Sequence, residues 1–92
     1  MSEFRKIVEI TNRRGLHARA SAKFVTYVSK LPDHLDVRVA KDGTEVTGMS
    51  IMGLMMLGAA KGDSIEIIVA GEQAESALEK LTGLVVDGFG ED

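Results

Sequence analysis

The chain has 92 residues, 45% of them hydrophobic, and a formal net charge of −3. This length favours a single domain over residues 1–92, with a modest core and little room for an enclosed active site. It has no cysteine, which excludes disulfides, thiolate metal sites and a thiol nucleophile, and fits a reducing cytoplasm.

The N-terminal segment MSEFRKIVEI mixes charged and apolar residues, which favours a half-buried strand over Phe4 to Ile10. It lacks the basic end followed by an apolar run that is typical of a secretory signal. The most apolar stretch, MSIMGLMMLGAA, is interrupted by Gly53 and Gly58 and is shorter than the roughly 20 residues that span a bilayer. We therefore expect no membrane insertion and a cytoplasmic location.

The segment RRGLHARAS, residues 13–21, places a histidine between a glycine turn and a predicted helix. From Ala18, apolar residues recur at helical spacing as far as Leu31, and the following LPD ends the helix. His17 thus lies at the N-cap position, where Ser, Thr, Asp or Asn is usual. A histidine there suggests a purpose other than capping.

The start of a helix favours an anion, because its first N–H groups lack partners within the helix and its dipole is positive there. Ala18 and Arg19 present such N–H groups, and the Arg19 guanidinium matches the geometry of phosphate oxygens. We expect the same positive end to favour the uncharged, nucleophilic form of the His17 imidazole. The pattern therefore indicates a nucleophile among phosphate-binding groups, although so short a pattern fits a surface turn equally well.

The rest of the chain alternates between strand and helix patterns. Alternating apolar residues predict strands over 35–39, around Val46 and over 65–69, and helical spacing predicts helices over 50–57 and 74–85. Asp42-Gly43 predicts a tight hairpin between the second and third strands, which excludes a simple parallel sheet. We therefore predict an α+β fold in which helices cover one face of an antiparallel sheet.

The short helix carries a methionine-rich pattern with two interpretations. Ile51 and Leu54 are expected in the core, whereas Met52, Met55 and Met56 fall partly on another side. The pattern alone favours a core role for the methionines, but so short a helix cannot bury every side, and methionine suits a surface for several partners. The second histidine, His34, lies in a polar turn and is expected to be solvated and without a role.

The motifs RRGLHARASAKFV and GMSIMGLMMLGAAKGDSIEI resemble, in order and separation, those of the HPr family. These are the histidine-containing phosphocarrier proteins of the bacterial phosphoenolpyruvate-dependent phosphotransferase system (PTS). The resemblance covers nearly the whole chain. It implies an HPr-like open-faced β-sandwich of order βαββαβα, with a four-stranded antiparallel sheet covered on one face by three helices.

The resemblance also implies roles for individual residues. His17 matches the histidine that is phosphorylated on Nδ1 by phospho-enzyme I and passes the group to enzyme IIA proteins, and Arg19 matches the arginine that steadies the phosphoryl group. Ser50, a predicted helix cap, matches a regulatory serine phosphorylated in some bacteria by HPr kinase/phosphorylase. Met52 and Met55 become contacts for these partners.

One departure is visible, because the family commonly has proline where this chain has Ala20. We expect this change to alter detail at the site without loss of transfer, since alanine is a good helix residue.

By the same resemblance the protein is a monomeric phosphocarrier, a substrate of enzymes and not an enzyme, and it needs no cofactor or metal. The sequence leaves open whether it serves sugar uptake or a nitrogen-related regulatory branch.

Two alternatives belong to other functional classes. One is a regulatory module of the same fold that acts by docking without relaying phosphate; the presence of both His17 and Arg19 disfavours it. The other is a small RNA-binding domain that uses Arg13, Arg14 and Arg19. Few aromatic residues and a negative net charge disfavour nucleic acid as a partner.

Overall fold

The computed structural model describes residues 3–91 and contains four strands, three α-helices and a final 3-10 turn. In chain order the elements are β1 (Glu3–Glu9), α1 (Ala18–Ser29), β2 (Asp36–Lys41), β3 (Thr44–Thr47), α2 (Ile51–Met56), β4 (Ser64–Ala70), α3 (Ala74–Val86) and the 3-10 turn (Gly88–Gly90). The predicted order βαββαβα is confirmed. The predicted domain limits at residues 1 and 92 lie outside the described residues.

The four strands form one antiparallel sheet in the order β1-β4-β2-β3. β4 lies between β1 and β2, so the first and last strands of the chain pair with each other, with Glu3 opposite Ala70. β2 and β3 form the predicted hairpin around Asp42 and Gly43, both of which have positive φ values. β4 is the most buried of the strands, with Ile65 and the run Ile67–Val69 all buried.

The hydrophobic core lies between the helices and one face of the sheet. Inward residues of β4 and β2, such as Ile67 and Val39, meet Phe24 of α1, Leu54 of α2 and Leu81 of α3, and these five side chains are almost fully buried. Their spacing follows the strand period of two and the helical period of 3.6 that the sequence shows. No helix within residues 3–91 has the length and apolar character needed to cross a bilayer.

The other face of the sheet carries ion pairs in place of helices. Arg5 contacts Glu66 at 3.2 Å, and Arg38 contacts Glu45 at 2.6 Å. Ile68 stands opposite both arginines in the register and is only 1% exposed. The arginine stems therefore cover this isoleucine, which allows an apolar residue on the open face of the sheet.

A tight turn before α1 sets the position of His17. Gly15 has a φ of 64°, and the Leu16 N–H donates a 2.9 Å hydrogen bond to the Ala59 carbonyl. A Cβ on Gly15 would clash with that carbonyl oxygen and would lie 2.9 Å from the Ala60 Cα. The turn therefore requires glycine both for its left-handed backbone and for its close approach to the segment after α2.

Gly15→Ala should destabilise the protein more than Gly58→Ala does. The two glycines have nearly equal φ values of 64° and 66°, but nothing lies within 4 Å of a Cβ on Gly58. We expect Gly58→Ala to cost about 1 kcal/mol of backbone strain, and Gly15→Ala to cost about 2 kcal/mol more from the clash. Urea unfolding measures both, and equal losses would contradict the close approach.

Candidate functional site

His17 is the N-cap of α1, as the sequence predicts, but its side chain does not cap the helix. Its backbone is extended, with φ −73° and ψ −178°, and its carbonyl accepts the first helical hydrogen bond, from the Ser21 N–H at 2.9 Å. The imidazole is thus released from capping. The N–H groups of Ala18, Arg19 and Ala20 precede that first bond and remain free of partners within the helix.

Ala20 itself is completely buried, so its small side chain packs into the core at the first turn of α1. Its N–H belongs to the group that no helical carbonyl accepts. Alanine in place of the family's proline therefore breaks no helical hydrogen bond and adds one donor beside His17.

The His17 ring contacts a carboxylate from the other end of the chain. Its Nε2 lies 2.6 Å from Oε2 of Glu91, and the side chains are only 18% and 16% exposed. Asn12, which is buried, donates from Nδ2 to the other oxygen, Oε1, at 3.0 Å and to the Gly15 carbonyl at 2.8 Å. Asn12 thus links the turn, the histidine and the tail.

The pKa of Glu91 is lowered, first by the hydrogen bond from Asn12 and then by its contact with His17 and the charge of Arg19, against the effect of burial. Because the folded protein favours the carboxylate, these interactions together stabilise the folded state at pH values above the ordinary pKa of a glutamate. That contribution is lost as the pH falls through the lowered value.

A short anchored tail delivers Glu91 to this place. Phe89 is fully buried although its φ is 57°, and Gly88 and Gly90 on either side also have positive φ values. The Phe89 carbonyl accepts a 2.6 Å hydrogen bond from Lys23 Nζ of α1. Buried apolar area offsets the left-handed backbone and holds the tail against the start of the helix.

An open depression of about 220 Å³ lies over the histidine and is lined by Arg13, Arg14, His17, Arg19 and Glu91. Three guanidinium groups and the free N–H groups of α1 favour an anion such as phosphate. Within residues 3–91, no group of three His, Cys, Asp or Glu side chains is placed to hold a metal ion.

The methionines of α2 lie mainly at the surface, so the core interpretation from the pattern alone is wrong. Met52 is 68% exposed and Met55 39%, whereas Leu54 is fully buried. Ile51, which was expected in the core, is also 39% exposed, because a helix of six residues turns only one narrow side inward. α2 packs against α1, so this apolar surface belongs to the same layer as His17.

Ser50 is the N-cap of α2, as predicted, and its Oγ accepts a 2.9 Å hydrogen bond from the Gly53 N–H. His34 is exposed in the turn before β2, as predicted, and it also makes one contact. Its Nε2 lies 3.0 Å from the Glu72 carbonyl and joins the loop before β2 to the loop after β4.

The contacts of Asn12 and Glu91 at His17 were not predicted from the sequence. The sequence signal for the segment that carries Glu91 is the glycine-rich, acidic stretch GFGED, which follows the last helix and favours a turn.

A model of the family described as "PTS HPr component phosphorylation site" matches residues 4–87 of the chain. The phosphocarrier protein HPr of Neisseria meningitidis is 48% identical over 84 residues, which cover 91% of this chain and 92% of that protein. The phosphocarrier protein NPr of Escherichia coli K12 is 38% identical over 88 residues, covering 96% of this chain and 97% of that protein.

The fold agrees with solved relatives. A structure of HPr-C-His from Thermoanaerobacter tengcongensis superposes with a TM-score of 0.86 at 38% identity, over 100% of this chain and 99% of that one. An HPr dimer from the same organism gives a TM-score of 0.73 at 39% identity, over 91% of this chain and 94% of that one.

Proposed function

The chain belongs to the HPr family of PTS phosphocarrier proteins, and we propose that His17 is the residue that carries its phosphoryl group. The observation that supports this assignment is the released imidazole of His17 at the start of α1, in a depression lined by Arg13, Arg14 and Arg19. In this proposal phospho-enzyme I donates the group to Nδ1, and an enzyme IIA protein removes it.

Transfer between two histidines requires little covalent chemistry from the carrier. The N–P bond of the donor breaks as the N–P bond to Nδ1 of His17 forms, and the charge on the phosphoryl oxygens stays high throughout. In this proposal the Arg19 guanidinium and the N–H groups of Ala18 and Arg19 stabilise that charge by position and electrostatics. The carrier is thus a substrate of both partner enzymes, acting without a cofactor of its own.

We further propose that a single copy of the chain, in the cytoplasm, is the working unit. His17, Arg19, Asn12 and Glu91 all come from one chain and meet at one end of α1. The branch of the system follows from which enzyme IIA protein accepts the phosphate. Incubation of the phosphorylated carrier with purified sugar-branch and nitrogen-branch enzyme IIA proteins distinguishes the two.

His17→Ala should abolish uptake of radiolabel from phosphoenolpyruvate in the presence of enzyme I. His34→Ala is the matched control, because it removes the chain's only other histidine and leaves the site intact. Label on the wild type should be acid-labile and base-stable, as expected for phosphohistidine. Label on folded His17→Ala would overturn the assignment, and wild type that binds enzyme I without taking up label would favour the docking module.

Met52→Gln should raise the KM of enzyme I for this carrier about tenfold, because it replaces an apolar contact at the proposed partner surface by an amide that must be desolvated. Ile7→Gln is the matched control. Ile7 is also 68% exposed, but it lies on the open face of the sheet, away from the helices. Equal KM values for the two variants would show that Met52 does not contact enzyme I. The proposal that Met52 and Met55 form a partner surface would then be wrong.

Ser50 is proposed as a second phosphorylation site, for a kinase of the HPr kinase/phosphorylase type. Ser50→Asp should melt within a few degrees of wild type, because a carboxylate can also accept from the Gly53 N–H. It should accept phosphate from enzyme I much more slowly, since it places a charge beside the Met52 surface.

Ser50→Ala is the control for this prediction, because it loses the cap, about 1 kcal/mol of stability, without adding charge. Normal transfer by folded Ser50→Asp would leave Ser50 as a helix cap only.

A further inference from the structure

The C-terminal segment Gly88–Glu91 lies beyond residues 4–87, the part of the chain that matches the family model. It is nevertheless built into the site. Phe89 anchors it in the core, Lys23 holds the Phe89 carbonyl, and Asn12 holds the Glu91 carboxylate. These contacts bring a residue 74 positions away along the chain into hydrogen-bond distance of the His17 ring.

We infer that Glu91 is a positioning residue for phosphoryl transfer, which holds the proton of the His17 ring on Nε2 and so presents the Nδ1 lone pair to the donor. This inference rests on the proposed role of His17. A carboxylate can only accept a hydrogen bond, so its 2.6 Å contact with Nε2 requires a proton there. A neutral ring has one N–H, and Nδ1 then carries the free lone pair.

Asn12 holds in place the groups that keep the proton on Nε2 of His17. The Asn12 amide donates to Oε1 of Glu91 and to the Gly15 carbonyl, so it fixes both the carboxylate and the turn that carries His17. The ring can neither rotate freely nor exchange its tautomer without losing the Glu91 contact. The buried Asn12 amide thus holds the Glu91 carboxylate, and the carboxylate in turn fixes the orientation of the His17 imidazole.

The same contact also balances the charge that the transfer creates. Attack by neutral Nδ1 on phosphorus releases the donor imidazole and leaves a phosphorylated ring that keeps its proton on Nε2. This ring is formally cationic, and no proton enters or leaves. The Glu91 carboxylate, 2.6 Å away, stabilises that cation, whereas the three arginines act on the phosphoryl oxygens.

The test uses the full chain with ¹⁵N-labelled histidine. At a pH where the ring is neutral, the ring nitrogen shifts of the wild type should report one tautomer, protonated on Nε2. Glu91→Ala should populate both tautomers and take up phosphate from enzyme I about tenfold more slowly, the effect of losing one hydrogen bond to a charged group.

Two variants separate the possible causes. Glu91→Gln keeps an oxygen that accepts from Nε2 but removes the charge, so it should restore the tautomer and recover only part of the rate. Asp87→Asn removes a charge just before the same segment, from a side chain that caps nothing, and should leave both readouts unchanged. Thermal melting confirms that each variant is folded.

Ring shifts and transfer rates of folded Glu91→Ala that equal those of the wild type would overturn the inference. A tautomer change without a rate change would also overturn it, because the contact would then be structural only. If the wild type takes up no label, the proposed function fails, while the nitrogen shifts still decide whether Glu91 sets the tautomer.

Discussion

The backbone hydrogen bond from Leu16 to Ala59 joins the turn before α1 to the segment after α2, the two parts of the proposed functional surface. On one side it fixes the turn that ends at His17, and on the other it fixes the chain just after α2. Leu16 is buried and Gly15 lies against the Ala59–Ala60 backbone, so the turn has no room to shift. His17 and the exposed methionines of α2 therefore keep one mutual arrangement, although each group lies in a short segment near the surface.

The distribution of charge agrees with a local anion site on an acidic protein. On the open face of the sheet, Arg5 and Arg38 are engaged by carboxylates. Among the described residues, Arg13, Arg14 and Arg19 have no such ion pair and converge on one depression. A small cluster of this kind attracts phosphate at short range, whereas the net charge of −3 works against binding along a nucleic acid.

Much of the fold could be predicted from the sequence, because the periods of two and 3.6 and the Asp42-Gly43 turn are local signals. All four strands, three helices and the N-cap positions of His17 and Ser50 were found in this way. The pairing of β1 with β4 depends on contacts between distant parts of the chain, which periodicity cannot reveal. Ile51 was misplaced because helical spacing does not tell how wide a buried side a helix of six residues has.

The site was predicted only in part for the same reason. His17 and Arg19 are neighbours along the chain, so their spacing shows the helix start and its charge. Glu91 reaches His17 through a tail whose path depends on the burial of Phe89 in a left-handed conformation, which is unusual for a residue with a large side chain. The residue pattern of the sequence does not predict a left-handed conformation at Phe89.

A carrier must hold a phosphoryl group firmly enough to keep it from water and loosely enough to pass it on. If His17 carries the group as proposed, the stabilising charges act on two separate parts of the phosphorylated histidine. The arginines line the depression in which the phosphoryl oxygens would lie, whereas the Glu91 carboxylate contacts Nε2, the far nitrogen of the ring. A carboxylate on the ring stabilises its cation and makes the imidazole a poorer leaving group, while arginines withdraw charge from the phosphorus and favour attack by the next nucleophile. The two effects oppose each other, so in the proposed relay the balance between the three arginines and the Glu91 carboxylate sets how readily the group is passed on.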